Sequence, residues 1–266
     1  MPLHPLYGHE ALRARLVGAS TSGRLPQTIL FDGPRGVGKQ RLALWLAQTL
    51  LCETGGGKRA PCGECGACRL VQKLSHPDLH WFVPVELEKK SADADKQVEL
   101  AEEALAEELA ARREQPLYQP PSGLASHGIA SARLLQRRLR LTPVMARLKL
   151  FIIGDAERLV PQRANPDAAN AMLKALEEPP ADTVFMLTSS EPDALLPTIL
   201  SRVVRVRVGR LPDSVMTELA QRQLGLTSQP ELAKRVTGAE GSIGRLLATE
   251  TEGYGKAAEA DRKSVV

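Results

Sequence analysis

The sequence predicts an α/β fold, a parallel sheet with flanking helices followed by a small all-α unit, on three observations. An apolar run, Thr28-Ile29-Leu30-Phe31, leads into Gly33-Pro34-Arg35-Gly36-Val37-Gly38-Lys39-Gln40 and then into a helix-periodic run with Leu42, Leu44, Trp45, Leu46 and Leu50. Two further apolar runs, Leu148-Lys149-Leu150-Phe151-Ile152-Ile153 and Thr183-Val184-Phe185-Met186-Leu187, alternate with helical stretches, as buried parallel strands do. Beyond Gly209 the pattern is helical throughout, with short turns.

Strand, glycine loop and helix is the context that a phosphate-binding loop requires. Gly33, Gly36 and Gly38 let backbone N–H groups turn inward around an anion, and the following helix aims its positive end at the same place. Lys39 stands where a point charge reaches the outer phosphates. The next position departs from the motif. It asks for Ser or Thr, whose short hydroxyl binds Mg²⁺, and Gln40 offers a longer side chain with only an amide oxygen.

The bulk composition is that of a soluble globular chain. Of 266 residues, 43% are hydrophobic and 25% charged, ample for one large domain or two smaller ones. Aromatic residues make up only 3%, which argues against a base-stacking platform for nucleic acid. The net charge of +4 implies mild attraction to polyanions. No apolar run approaches the roughly 18 residues of a membrane span, and the opening residues do not read as a signal peptide, so a cytoplasmic protein is expected.

Taken in order, Pro5 to Glu10 reads as a loop capping a helix, with Leu12, Leu16 and Val17 at helical spacing to about Ser20. Ser22-Gly23-Arg24-Leu25-Pro26 breaks it, and the strand, the loop and a helix to about Leu51 follow. Cys52, Cys62, Cys65 and Cys68 then fall in Cys-x₉-Cys-x₂-Cys-x₂-Cys spacing. Four thiolates this close suit a tetrahedral Zn²⁺, and a filled ligand set implies a structural ion. His76-Pro77-Asp78 reads as a turn into a second strand, with His76 and His80 as surface or turn residues.

Residues 86–114 are rich in Ala, Glu and Lys with a thin apolar face (Val98, Leu100, Leu105, Leu109), a solvated helix inserted into the domain. Residues 115–128 read as a loop and 129–141 as a helix carrying Arg133, Arg137, Arg138 and Arg140, either an ordinary amphipathic helix or a DNA contact. The strand at 148–153 ends in Gly154-Asp155-Ala156-Glu157, where a phosphate-loop ATPase has acidic residues on Mg²⁺. Gly154 takes the first acidic place and Asp155 the second. Asn165 and Pro166 mark a helix start, Met172, Leu173 and Leu176 its inner face, and Pro179-Pro180 its end. Strand Thr183-Val184-Phe185-Met186-Leu187 is followed by Ser189 and Ser190. Leu200-Ser201-Arg202 leads to a strand alternating Val and Arg from Val204 to Val208. Three helices complete the chain, starting near Pro212, Gln229 and Gly241, and residues from about 250 read as a fraying polar end.

Together these features make the layout of an AAA+ ATPase. The chain resembles bacterial DNA polymerase III clamp-loader subunits over roughly residues 5–250. The resemblance is carried by the glycine loop, the four cysteines, His76-Pro77-Asp78, Asn170-Ala171-Met172-Leu173-Lys174-Ala175-Leu176-Glu177-Glu178-Pro179-Pro180 and Leu200-Ser201-Arg202. It implies an α/β AAA+ phosphate-loop core over residues 1–208, containing a zinc module at 52–68 and a charged helical insertion at 86–128. A helical lid over 209–266 would follow, and the family's helical collar domain is not expected within this length.

Within that family, Gln40, Gly154 and Asp155 replace the motor subunit's Ser or Thr and Asp-Glu, so the chain looks like the delta-prime type. The resemblance implies slow or absent ATP hydrolysis, with Lys39 and the glycines left for weak nucleotide binding. It also implies an arginine finger, Arg202, completing a neighbouring motor subunit's ATP site in trans. Ser189 and Ser190 match a phosphate-sensing position, and Arg245 lies near the lid's sensor arginine. The partners implied are the tau/gamma and delta subunits and, through the complex, the sliding clamp and primed DNA at the nucleoid-associated replisome. Two readings stand beside this one: an active tau/gamma-type ATPase using Asp155 or Glu157 on metal, and a zinc-dependent DNA-binding module.

Overall fold

The computed structural model describes residues 6–87, 91–114, 125–159 and 167–248, with backbone alone for 167–171. Asn165 and Pro166, most of the expected 115–128 loop and the polar end from 250 lie outside the described residues.

Helix α1 (Glu10–Thr21) precedes β1 (Thr28–Asp32) and α2 (Lys39–Leu51). Next come α3 (Gly66–Gln72), β2 (Leu79–Phe82), α4 (Ala94–Glu114) and α5 (Ile129–Leu139). They are followed by β3 (Lys149–Ile153), α6 (Asp167–Glu177), β4 (Thr183–Ser189), α7 (Pro197–Leu200) and β5 (Val204–Arg207). Helices α8 (Asp213–Leu224), α9 (Gln229–Ala239) and α10 (Ile243–Leu247) complete the described fold.

All strand pairs are parallel, in the order β2-β3-β4-β1-β5. Strands β1, β3 and β4 are buried along their whole length, which is why they read as unbroken apolar runs. Phe151 packs between Phe82 and Phe185, at ring-centroid distances of 6.4 and 5.3 Å. β1 and β4 are in register from Thr28 opposite Phe185 to Asp32 opposite Ser189, so the carboxyl ends of both strands open on the same edge. In parallel α/β sheets ligands bind beyond that edge.

Buried side chains form two clusters. One includes the sheet and its helices from Leu16 to Val208, and the other runs from Leu211 to Leu246 in α8, α9 and α10.

β4 ends at Ser189, and the polar side chains of Thr188 and Ser189 are buried beside β1. β5 is an edge strand, and Val204 is 49% exposed. His76 is not a surface residue. It is buried, and its Nδ1 accepts the Asp78 N–H at 3.1 Å.

Asp78 is buried too, and its carboxylate accepts the backbone N–H groups of Val144, Met145 and Ala146 at 2.6, 2.8 and 2.7 Å. This fixes the loop ahead of β3, although Val144 and Met145 themselves face solvent. Burial raises the Asp78 carboxyl, but the hydrogen bonds from Val144, Ala146 and Met145 outweigh it and hold the group below its usual value. A depressed carboxylate contributes stability above its unfolded-state value near 3.9 and loses that contribution as pH falls through its folded value. Asp78→Asn is therefore expected to cost about 1–3 kcal/mol at neutral pH. Urea titrations across pH check this, and the gap to wild type should close as pH falls below about 4.

Candidate functional site

The glycine loop lies at the carboxyl end of β1, tied to the sheet by the Gly33 N–H to the Ser189 carbonyl at 3.2 Å. Gly38 caps α2, and His9 binds the Val37 carbonyl through Nε2 at 2.8 Å. Lys39 is buried, and its ammonium donates to the Gly33 and Pro34 carbonyls at 2.8 Å each and to Ser190 Oγ at 2.9 Å. Burial lowers its pKa to about 8, against the opposing pull of Glu157 and Asp155. Glu157 moves the other way, raised by burial and then by Asp155. One of its oxygens accepts the Ser190 N–H at 3.2 Å.

The place of the metal ligands is filled by protein. Gln40 Nε2 donates to Asp155 Oδ2 at 2.9 Å. Its Oε1 accepts from Arg112 Nη1 of α4, also at 2.9 Å. A Cβ on Gly154 would stand 3.0 Å from the Gln40 amide, so that amide closely approaches the place where an acidic side chain would begin. The Gly154 carbonyl is bound at 2.7 Å by His127 Nε2, whose ring is fully buried and held near pKa 4 by desolvation. With no hydroxyl at position 40 and no carboxylate at position 154, the donor set does not fit Mg²⁺ as a phosphate-loop ATPase holds it.

The helical unit meets the loop directly. Gly244 N–H donates to the Gly36 carbonyl at 3.0 Å, and Ser242 Oγ donates to the Arg35 carbonyl at 3.2 Å. Gly36 has φ 78°, and a Cβ there would lie 2.3 Å from Ser242 Oγ, so only glycine allows this approach. Arg245 lies in α10, and its backbone N–H donates to Ser242 Oγ at 3.3 Å. It pairs with Glu240 at 2.5 Å, as does Arg210 at 3.0 Å.

Arg202 sits elsewhere. Its carbonyl accepts from Thr28 Oγ1 at 2.7 Å, which anchors it at the amino end of β1. The phosphate loop leaves the other end, about 13 Å further along the strand. The guanidinium is partly exposed, bonds the Thr198 carbonyl at 2.6 Å and Ser201 Oγ at 3.1 Å, and forms an ion pair with Glu177 at the end of α6.

The four cysteines converge as their spacing requires. Cys52 caps the end of α2, Cys65 caps the start of α3, and Cys68 is buried within α3. All four sulfurs lie within 4.8 Å of one another. The Cys52–Cys62 and Cys62–Cys68 separations are 3.7 and 3.9 Å. A tetrahedron of thiolates about 2.3 Å from a central ion has edges of about 3.8 Å, so the cluster could hold a metal such as zinc. Backbone N–H groups of Cys65 and Cys68 point at Cys62 and Cys65 sulfurs, both at 3.4 Å, as outer-shell donors to a ligand do. Hydrogen bonds, that of Thr54 first, lower the exposed Cys62 to about 6, while burial raises Cys68.

Arg112, His127 and His9 are additions that the sequence did not signal. Within its own acidic helix Arg112 pairs with Glu108 at i, i+4, which gives no hint of its contact with Gln40. His127 and His9 are isolated histidines whose partners are distant backbone carbonyls.

The parallel sheet order, the glycine loop after β1 and the helical unit on that loop define an α/β protein of the phosphate-loop class. A family model described as DNA polymerase III, delta subunit, matches residues 8–212, and the chain belongs to that family. It is 30% identical to DNA polymerase III subunit delta' of Bacillus subtilis, over 90% of this chain and 55% of that protein. It is 35% identical to DNA polymerase III subunit delta' of Pseudomonas aeruginosa, over 66% of this chain and 41% of that protein. It is 31% identical to DNA polymerase III subunit gamma/tau of Mycobacterium bovis, over 81% of this chain and 30% of that protein. The chain thus spans about half or less of the length of these relatives.

Native mass spectrometry of the purified chain should show about one divalent ion bound per molecule. Cys65→Ser should abolish it, and a chelator should lower the melting temperature of the wild type but not of the variant.

Proposed function

We propose that the chain acts as a delta-prime-like subunit of a DNA polymerase III clamp loader, a largely non-hydrolysing AAA+ scaffold that serves a neighbouring ATPase. The observation that carries this reading is Gln40, whose amide is engaged by Asp155 and Arg112 where an active pocket needs a free hydroxyl and a first carboxylate. Loss of metal positioning removes a large share of transition-state charge stabilisation, worth several kcal/mol. Lys39 and the glycine loop support weak nucleotide binding at most.

Arg202 would supply the cation missing from the neighbour. Its anchor at the opposite end of β1 supports action in trans, because the side chain stands far from its own loop. The neighbour would have to draw it away from Glu177, an exposed pair of small intrinsic worth. The partners in this reading are tau/gamma-type and delta subunits, with the sliding clamp and primed DNA reached through the assembly in the cytoplasm. The four-cysteine module would hold a structural zinc ion. The break between the two apolar clusters supports a core to residue 208 and a helical lid from 209.

An active tau/gamma-type ATPase is the second reading, favoured by Asp155 and Glu157, which both act on Lys39. The isolated chain separates the two. Turnover near about one per second that Lys39→Ala abolishes would establish the active reading, since that is the lower end of ordinary enzyme rates. In a reconstituted loader, Arg202→Ala is expected to leave assembly intact. It should lower ATP turnover at the completed site by about tenfold or more, measured by phosphate release. Unchanged turnover would remove the trans role.

A further inference from the structure

The inserted helix α4 has a side chain that the family reading does not account for. Arg112 lies in its last turn and is only 3% exposed, although long cationic side chains are seldom fully buried unless paired. Its Nε donates to Glu108 Oε1 at 2.8 Å, its Nη1 to Gln40 Oε1 at 2.9 Å, and its guanidinium carbon stands 5.4 Å from the Trp81 ring centre. These contacts fix the guanidinium from three sides. Gln40 in turn bridges to Asp155, so a chain of hydrogen bonds runs from a permanent cation, through an amide, to the pocket's carboxylate.

We infer that Arg112 is a resident cation that locks the Gln40 amide beside Gly154 and so excludes divalent metal from the phosphate-loop pocket. This deepens the reading of the pocket as non-hydrolysing and depends on no partner subunit. Its Nη1 holds Gln40 Oε1, which leaves Nε2 to face the Asp155 carboxylate. Mg²⁺ demands near-octahedral oxygen ligands and sheds water reluctantly, so it cannot share a place already packed by an amide and a guanidinium. Any nucleotide phosphate that enters the cradle does so without its metal.

The isolated full chain tests this with ADP in chelator and ADP with excess Mg²⁺, read as binding affinity by calorimetry and as thermal midpoint. Wild type should respond alike in both, within about twofold in affinity, including the case of no response to either. Gln40→Thr with Gly154→Asp restores the missing ligands but keeps Arg112, and should still show no magnesium dependence. Adding Arg112→Ala should raise ADP affinity in Mg²⁺ about tenfold over that in chelator. Circular dichroism checks that each variant is folded. Magnesium-dependent binding by wild type overturns the proposal and requires no variant at all. So does a double variant already as metal-responsive as the triple, or a folded triple variant that ignores magnesium. ATPase activity and subunit assembly enter none of these measurements, so a failed partner role leaves the result interpretable.

Discussion

Most charges gathered at the carboxyl edge of this buried parallel sheet meet a counter-group, and this constraint orders the molecule. Asp32 is 2% exposed at the end of β1 and is met by Arg207 at 2.9 Å and Arg205 at 3.2 Å from the edge strand. Lys39 is satisfied by the loop's own carbonyls and by Ser190. Asp155 is satisfied by Gln40. An unmatched charge here would cost several kcal/mol, so each element bordering the edge contributes a counter-group. β5 brings arginines, the segment after β4 brings a serine hydroxyl, and α4 brings Arg112.

Helix α4 therefore has two faces of different character. On one, Val98, Ala101 and Leu105 are buried, and Arg112 enters the pocket. On the other, Asp95 pairs with Arg137 and Glu102 pairs with Arg138 of α5, at 2.9 and 2.7 Å. These ion pairs are largely exposed and individually worth little. They nevertheless neutralise two of the arginines that gave α5 its basic stripe, so the DNA-contact reading of that helix loses part of its charge. The helix is held by its narrow apolar face, with ion pairs setting its orientation.

Much of this was legible in the chain because its causes are local. The glycine loop, the strand runs around Ile29, Phe151 and Phe185, and the cysteine spacing each announce themselves within a few residues. What was not legible depends on distant partners. Nothing near Arg112 in sequence indicates that it reaches Gln40, 72 positions away, and its acidic neighbours argue for solvent. His76 is buried because its ring and Asp78 close a turn beneath the loop at Val144, a partnership 66 positions apart in the case of Asp78. Val-Arg alternation alone does not say how deeply the strand is covered, and at the sheet edge Val204 is 49% exposed.

In the proposed reading, the two ends of β1 would let one chain hold a silent pocket and an available cation together. At the carboxyl end the loop is clamped by α10 through Gly36 and by α4 through Gln40, an arrangement with little room for a hydrated metal. At the amino end, among the described residues, Arg202 has carbonyl and hydroxyl contacts and one exposed carboxylate, Glu177, all of which can be exchanged for a stronger anion. A phosphoryl group developing charge in a neighbour's pocket is such an anion, and a guanidinium can meet it with two parallel N–H donors. In the proposed assembly, rigidity at one end and exchangeability at the other are complementary. In that assembly the chain's own pocket would not compete for the arginine, because the length of the strand stands between them.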